Sequence, residues 1–293
     1  MLKIFLKYSV FIYFYFLNQY FSIQKMKFFL ITICVSLLSL TSCTSTNIAI
    51  TSKKLYNKQL RSYVKSIKNR NPRAIDSTFI NFVPTANFNL RKPNFIIIHH
   101  TAQDSLAQTI KTFQQQKTQV SAHYTIADNG NVVQMLNDYM RAWHAGAGKW
   151  GKNTDINSAS IGIELDNNGT EPFSEAQIKS LLKLLTALKK EYNIPTANFI
   201  GHSDIAPSRK IDPSTLFPWK TLSEQGFGLW QNDELPLVPI DFNIEQGLKI
   251  IGYDTSNLSA AIIAFKRHFI QTEVSDTVDE TTKAILYSIY LKQ

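Results

Sequence analysis

The sequence has almost no cysteine. Among 293 residues there are two, Cys34 and Cys43, both near the N-terminus. The chain beyond Cys43 carries no thiol, which excludes a disulfide framework and a thiolate zinc site. Any metal site there must use His, Asp or Glu. Acids are missing from the first 42 residues, which hold only Lys3, Lys7, Lys25 and Lys27 as charges. If these four are removed with a leader, 31 basic side chains become 27 against 22 acids, and the net charge falls from +9 to +5. That modest excess suits a surface working near anionic lipid or cell-wall polymer. No nucleic-acid motif is present, so nucleic acid is not an expected partner. No internal repeat is evident. The apolar run Phe28–Leu40 falls short of the roughly 20 residues that span a bilayer.

The leader reads as a processing signal. "MKFFLITICVSLLSLTSC" begins at Met26 with a lysine, continues as a short apolar run and ends in small residues before Cys43. Leu40, Thr41 and Ser42 before Cys43 resemble a bacterial lipobox, in which Cys43 is lipidated and becomes the mature N-terminus. Thr44 at the next position leans toward outer-membrane sorting. The upstream stretch, residues 1–25, is a second apolar and aromatic segment, and Met26 is the expected true start. The alternative for the leader is an uncleaved anchor.

Beyond the leader, "TSTNIAITSKK" reads as a polar tether and "LYNKQLRSYVKSIKNRNPRAID" as a basic, loose helix. From residue 95 the patterns alternate. "FIIIHHT", "AHYTIAD", "NVVQML", "SIGIELD" and "NFIGHSD" have strand character. "SLAQTIKTFQQQ" and "SEAQIKSLLKLLTALKKEYN" have helix character, the second with Ile178, Leu181, Leu182, Leu185 and Leu188 on one stripe. Ser174 is the expected N-cap, with Gln177 completing a capping box. Asn129-Gly130 forms a hairpin tip. The fold class is α/β, a central mixed β-sheet flanked by helices. After the linker "ELPLVPID", three helical runs near 243–250, 257–269 and 277–291 predict a small separate three-helix domain. Leu258, Ile262, Phe265 and Phe269 share one face of the middle run, with His268 at its surface.

Five of the six histidines lie between residues 99 and 202. "NFIIIHHTA" runs a buried strand into His99 and His100. Successive strand side chains point to opposite faces, so both cannot reach one small site. "SIGIELD" places Ile161, Ile163 and Leu165 on one face and Ser160, Gly162 and Glu164 on the other. A glutamate in so apolar a strand needs a reason. Either its face is solvated, or it is a general base aimed into a cleft. In "FIGHSDIAPSRKIDP", Lys210 and Asp212 project to one side if the segment is extended. They are a surface ion pair or a metal ligand beside an electrophilic helper.

"IIIHHTA", "SAHYTIADNGNVVQ", "RAWHAG", "SIGIELDN" and "GHSDIAPSRKIDPSTLFPW", in this order, resemble the zinc N-acetylmuramoyl-L-alanine amidases. Their type 2 fold is shared with peptidoglycan recognition proteins. The likeness is nearest to the Gram-negative outer-membrane lipoprotein amidase with a C-terminal peptidoglycan-binding domain, and it covers about residues 90–293. The resemblance implies zinc ligands at His99, His202 and Asp212, an open fourth position for water, Glu164 as proton acceptor and Lys210 as oxyanion stabiliser. It implies hydrolysis of the amide between N-acetylmuramic acid and L-alanine, for wall turnover or recycling. It leaves His100 to packing or to supporting the site from the other side of the strand. The implied organisation is a signal region at 1–42, a lipidated tether at 43–85, an amidase domain at 86–236 and a peptidoglycan-binding-like domain at 237–293. The implied partners are muropeptides and, through Cys43, the membrane, placing the protein on the outer membrane facing the periplasm. His144, in the segment beside the family's substrate groove, has substrate contact and a structural role as equal readings. Trp143 and Trp150 line that groove or pack the core, with packing favoured. Arg209 faces a substrate carboxylate or solvent. His123 is read as structural. A non-catalytic peptidoglycan-binding lipoprotein on the same fold is the competing reading. It would be free to lose one of His99, His202, Asp212, Glu164 or Lys210, yet all five are present.

Overall fold

The computed structural model describes residues 43–68, 74–75, 78–79, 92–103 and 105–293. The leader at 1–42 lies outside them. The chain divides into two compact units, residues 1–71 and 72–293. In the first, helix α1 spans Cys43–Lys68. The expected polar tether at its start is therefore corrected. Residues 43–68 contain neither glycine nor proline, the residues that disfavour a helix interior most, so the helix runs without a break. No helix among the described residues is long and apolar enough to cross a membrane.

The second unit opens with a short antiparallel pair, β1 (Ala74–Ile75) and β2 (Thr78–Phe79). Its centre is a five-stranded sheet of β3 (Phe95–His100), β4 (Tyr124–Ile126), β5 (Val132–Gln134), β6 (Ser160–Leu165) and β7 (Phe199–Gly201), in the order β5-β4-β6-β3-β7. The pairs β4·β6, β6·β3 and β3·β7 are parallel, and only β5 runs antiparallel, as the hairpin partner of β4. A mixed sheet was the expectation. Parallel strands bury both faces, and alternation divides β3 and β6 between two clusters. Ile96, Ile98, Ile161, Ile163 and Leu165 pack with Ile178, Leu181, Leu185 and Leu188 on one side. Ile97 packs with Ala145, Ile156, Ile200 and Ile205 on the other.

Helices α2 (Leu106–Gln114) and α4 (Glu175–Tyr192) match the two helical patterns, and between them lies the short α3 (Ile156–Ala159). Ser174 caps α4 by accepting from the Gln177 backbone N–H, Lys189 and Lys190 stand in the last turn, and Asn193 closes it in the left-handed conformation at φ 53°. The capping box is only half made. The Gln177 amide instead donates to the carbonyls of Ile126 and Asp166, tying α4 to two segments of the sheet. Gly130 at the β4–β5 turn has φ +83°, and a Cβ there would stand 2.7 Å from the Ala176 carbonyl. The turn therefore needs glycine for its backbone and for its seat on α4.

"NFIGHSD" is strand only as far as Gly201. His202–Ile205 turns into the short helix α5, followed by α6 (Trp219–Glu224). The C-terminal helices are α7 (Ile244–Ile251), α8 (Leu258–Phe269) and α9 (Glu280–Tyr290). They share an apolar cluster containing Leu248, Ile262, Phe265, Phe269, Leu286 and Ile289. Each such buried side chain contributes roughly 1.5–3 kcal/mol. Trp150 and Trp230 join this cluster to those around the sheet, and residues 72–293 form a single compact unit. His268, expected at the surface, is 3% exposed.

Candidate metal centre

The parallel register builds the site. His99 pairs with Glu164 across β3 and β6, so the two side chains stand on the same face. Gly201 pairs with Ile98, which sets His202 beside His99 at the carboxyl ends of the strands. Asp212 returns from the loop after α5, held by the Ser203 N–H donating to its carbonyl at 2.7 Å. Three side-chain atoms converge. His99 Nδ1 and His202 Nδ1 lie 2.9 Å apart, and Asp212 Oδ2 lies 3.1 and 3.0 Å from them. All three residues are buried.

The protonation of this cluster follows from the hydrogen bonds behind it. His202 Nε2 faces the Ala145 carbonyl at 3.2 Å, so the proton of the neutral ring is on Nε2 and Nδ1 keeps its lone pair. The Ser160 hydroxyl donates to the Ile156 carbonyl at 2.6 Å, so its oxygen accepts from His144 Nε2 at 3.2 Å. His144 Nδ1 is then an acceptor, and it takes the proton of His99 Nε2 at 3.0 Å. The chain of donors leaves His99 Nδ1 bare as well. Burial and His202 lower the His99 ring to about 4, and burial lowers His144 well below the ordinary value. Burial would raise the Asp212 carboxyl, whereas the two histidines beside it, in their protonated forms, hold it below the usual carboxylate range.

Two bare imidazole nitrogens and a carboxylate oxygen facing one centre form a cation-binding donor set. A tetrahedral zinc with bonds near 2.0–2.1 Å has ligand–ligand edges of about 3.3 Å. Side-chain shifts of a few tenths of an ångström bring the cluster to that size. The residues therefore fit zinc.

The cluster opens on a cleft of about 490 Å³ lined by Glu164, Lys210, Trp143, Phe113, Asn168 and others. Glu164 Oε2 is buried with no hydrogen-bond partner. Burial and the nearby Asp212 push its carboxyl up to about 8, with Lys210 opposing. Lys210 and Asp212 both line the cleft, as an extended K-x-D segment requires.

The remaining candidates separate. His100 is on the opposite side of β3 from His99. Its Nδ1 accepts from the Ser214 N–H at 3.2 Å, so it holds the loop just past Asp212 and stays outside the three-atom cluster. His144 is among the residues lining the cleft but sits deep in it. It is 9% exposed, lies behind His99 and crosses Gly162, where a Cβ would meet its ring at 2.4 Å. Trp143 is 43% exposed on the cleft, against the expectation of packing, whereas Trp150 packs against Tyr253 with ring centroids 5.0 Å apart. Arg209 is committed to the Ala145 and Ala147 carbonyls at 3.0 and 2.9 Å. It is exposed at the edge of the cleft, as the solvated reading expects. His123 is buried between the Gly162 N–H and the Met140 carbonyl, a structural place. Ser160 and Asn157 were missed. Asn157 Oδ1 accepts from the backbone N–H groups of His144 and Ala145 and fixes that segment under the site. Ser160 shares the polar face of β6 with Glu164, which was the available signal.

The family model described as N-acetylmuramoyl-L-alanine amidase matches residues 89–215. N-acetylmuramoyl-L-alanine amidase AmiD of Escherichia coli K12 is 33% identical over 229 residues, covering 67% of this chain and 82% of that protein. The solved AmiD complex with anhydro-N-acetylmuramic acid-L-Ala-D-gamma-Glu-L-Lys superposes with a TM-score of 0.62 at 30% identity, covering 71% of this chain and 93% of that one. AMPDH3 of Pseudomonas aeruginosa, solved with anhydromuramic pentapeptide, gives 0.63 at 27% identity, covering 75% and 98%. Given the extent of the match to AmiD, this chain belongs to the N-acetylmuramoyl-L-alanine amidase family.

Proposed function

We propose that the protein is a zinc-dependent amidase that cleaves the bond between the lactyl group of N-acetylmuramic acid and L-alanine in peptidoglycan or its fragments. The observation that carries this reading is the convergence of His99 Nδ1, His202 Nδ1 and Asp212 Oδ2 on a cleft that also holds Glu164 and Lys210. His99, His202 and Asp212 would hold zinc, which would supply Lewis acidity to the scissile carbonyl and the attacking water. Glu164 accepts the proton of that water and delivers it to the leaving amine. Without a metal its carboxyl lies at about 8, and a bound cation would shift it toward the carboxylate form that accepts the proton. Lys210 presents an ammonium to the oxyanion that develops on the carbonyl oxygen. Trp143, exposed on the cleft, offers an apolar surface to the substrate.

The muropeptide complexes of AmiD and AMPDH3 support the substrate class. We further propose a role in wall turnover or recycling, with lipidation at Cys43 anchoring the protein to the outer membrane on its periplasmic side. The competing reading, a non-catalytic wall-binding lipoprotein, leaves the bare donor cluster and the unpartnered Glu164 carboxyl without a use. Mass spectrometry of purified wall digested by the 44–293 fragment, with and without a chelator, tests the reaction. Chelator-sensitive release of stem peptides beginning at L-alanine is expected. Intact stem peptides with zinc present would reject it.

A further inference from the structure

The buried carboxylate of Asp204 stands two residues beyond His202 and is 1% exposed. It has no lysine or arginine partner among the ion pairs of the described residues. Three hydrogen-bond donors satisfy it instead, with the Arg267 guanidinium acting on it at longer range. The Gly201 N–H reaches Oδ2 at 2.7 Å, His268 Nδ1 reaches the same oxygen at 2.7 Å, and the Tyr253 hydroxyl reaches Oδ1 at 2.6 Å. The first bond is local and fixes the entry into α5. The other two come from the C-terminal segment, 49 and 64 residues away in sequence.

Both distant donors are held rigidly. The His268 ring is stacked between Trp219, at 3.8 Å and 16°, and Phe269, at 4.1 Å and 14°. Tyr253 packs edge-on to Trp150. Further ties surround them. The Gly151 N–H donates to the Gly252 carbonyl at 2.7 Å, and the Gln271 amide donates to the Phe217 carbonyl at 2.7 Å. Gly201 has no room for a Cβ, which would lie 2.9 Å from Pro213 and 3.2 Å from Trp219. A shift of Asp204 is therefore transmitted to the backbone that carries His202. An Asp–His pair could suggest a second catalytic site, but His268 Nε2 is buried without a partner and His268 does not line the cleft. The pair has a mechanical use.

We propose that the C-terminal helices are a buttress of the metal centre, with Tyr253 and His268 as positioning residues that act on His202 through Asp204. This rests on the reading of His99, His202 and Asp212 as zinc ligands. It gives the helical segment a role in building the site, separate from any contact with the wall. Losing a distant donor leaves a buried carboxylate under-satisfied beside a ligand. Residues that orient metal ligands from behind are worth roughly 10–100-fold in metal affinity.

The test compares the full chain with Tyr253→Phe, His268→Phe and His268→Asn. Zinc affinity is measured by chelator competition, and ligand geometry by the visible absorption of the cobalt-substituted protein. Phenylalanine at 268 keeps the stack and removes the donor, whereas asparagine restores a donor near the Nδ1 position. Tyr253→Phe and His268→Phe are expected to weaken zinc binding at least about 10-fold and to alter the cobalt spectrum, with His268→Asn recovering both. Wild-type affinity and an unchanged spectrum in both phenylalanine variants would overturn the buttress. An asparagine variant no better than phenylalanine would overturn the donor role of His268. If His268→Phe fails to fold by circular dichroism, Tyr253→Phe, which removes one hydroxyl, decides. Failure of the wild-type chain to bind zinc would instead reject the metal reading on which the proposal rests.

Discussion

Glu164 offers the sharpest test of the site, because its chemistry and its cost to stability have one origin. Burial and Asp212 hold its carboxyl at about 8, against an ordinary 4.5. The folded value lies above the unfolded value, so folding favours the protonated form. Below about pH 4.5 both states are protonated and nothing is lost. Between 4.5 and 8 the unfolded chain releases its proton first, and stability falls as pH rises. His99 acts in another window. Its ring is lowered to about 4 from 6.5, so its contribution is complete above 6.5 and lost as pH falls toward 4. The range from pH 6.5 to 8 therefore isolates Glu164. At about 1.4 kcal/mol per pH unit, the metal-free protein loses at most about 2 kcal/mol across that range. The figure is an upper bound because part of the side chain meets solvent. Glu164→Gln keeps the shape and removes the titration. Urea denaturation with chelator present, at pH 6.5, 7.2 and 8, is expected to show the variant gaining on wild type by up to about 2 kcal/mol. With zinc bound, a nearby cation favours the carboxylate and the gain shrinks. A stability difference that stays constant across the range would refute the unpaired buried carboxyl. The same variant is expected to retain zinc and lose turnover by at least about 10²-fold, and near-normal turnover would remove Glu164 from the mechanism.

Four other substitutions probe separate parts. His99→Ala is expected to abolish zinc binding and activity, and stoichiometric zinc by atomic absorption would contradict the ligand assignment. Lys210→Ala should lower kcat by about 10²-fold with little change in KM, as expected for a group acting on the developing oxyanion. Steady-state kinetics in which only KM rises would move Lys210 to substrate binding. His144→Phe removes the acceptor for His99 Nε2–H. Imidazole nitrogen spectra of the metal-free protein should show His99 shifting toward the Nδ1–H tautomer, and zinc affinity should fall roughly 10–100-fold. An unchanged tautomer would break the donor chain ending at Ile156. Cys43→Ser should move the protein from the membrane fraction to the soluble fraction, and unchanged retention would favour an uncleaved anchor.

Much of the site was legible because it is built from local periodicity. Strand alternation in "FIIIHH" separated His99 from His100, and the register with β6 turned the same rule into a shared face for His99 and Glu164. The Ser174 cap was readable from one residue and its neighbours. The misses have a common character. The half-made capping box arose because Gln177 found carbonyls 51 and 11 residues away more suitable than its own helix end. Trp143, assigned by its apolar character to the core, is at the cleft because Asn157 and Ser121 fix the backbone around it. The α1 helix replaced an expected tether because small polar residues without glycine or proline still permit a helix.

By itself, the sequence determined the alternating strands and helices, the exclusion of thiol chemistry beyond Cys43, and a set of residue types able to hold zinc and move a proton. These depend on side-chain chemistry and on the repeat of the backbone, both local properties. Only the tertiary structure decided which groups orient them. His144 lies behind His99, Arg209 holds the Ala145 carbonyl that also fixes His202, and His268 is buried on Asp204. Those pairings join segments 45 to 64 residues apart. Chain periodicity carries no record of such partners. They are selected when packing removes water from polar groups and each must find the nearest complementary donor or acceptor.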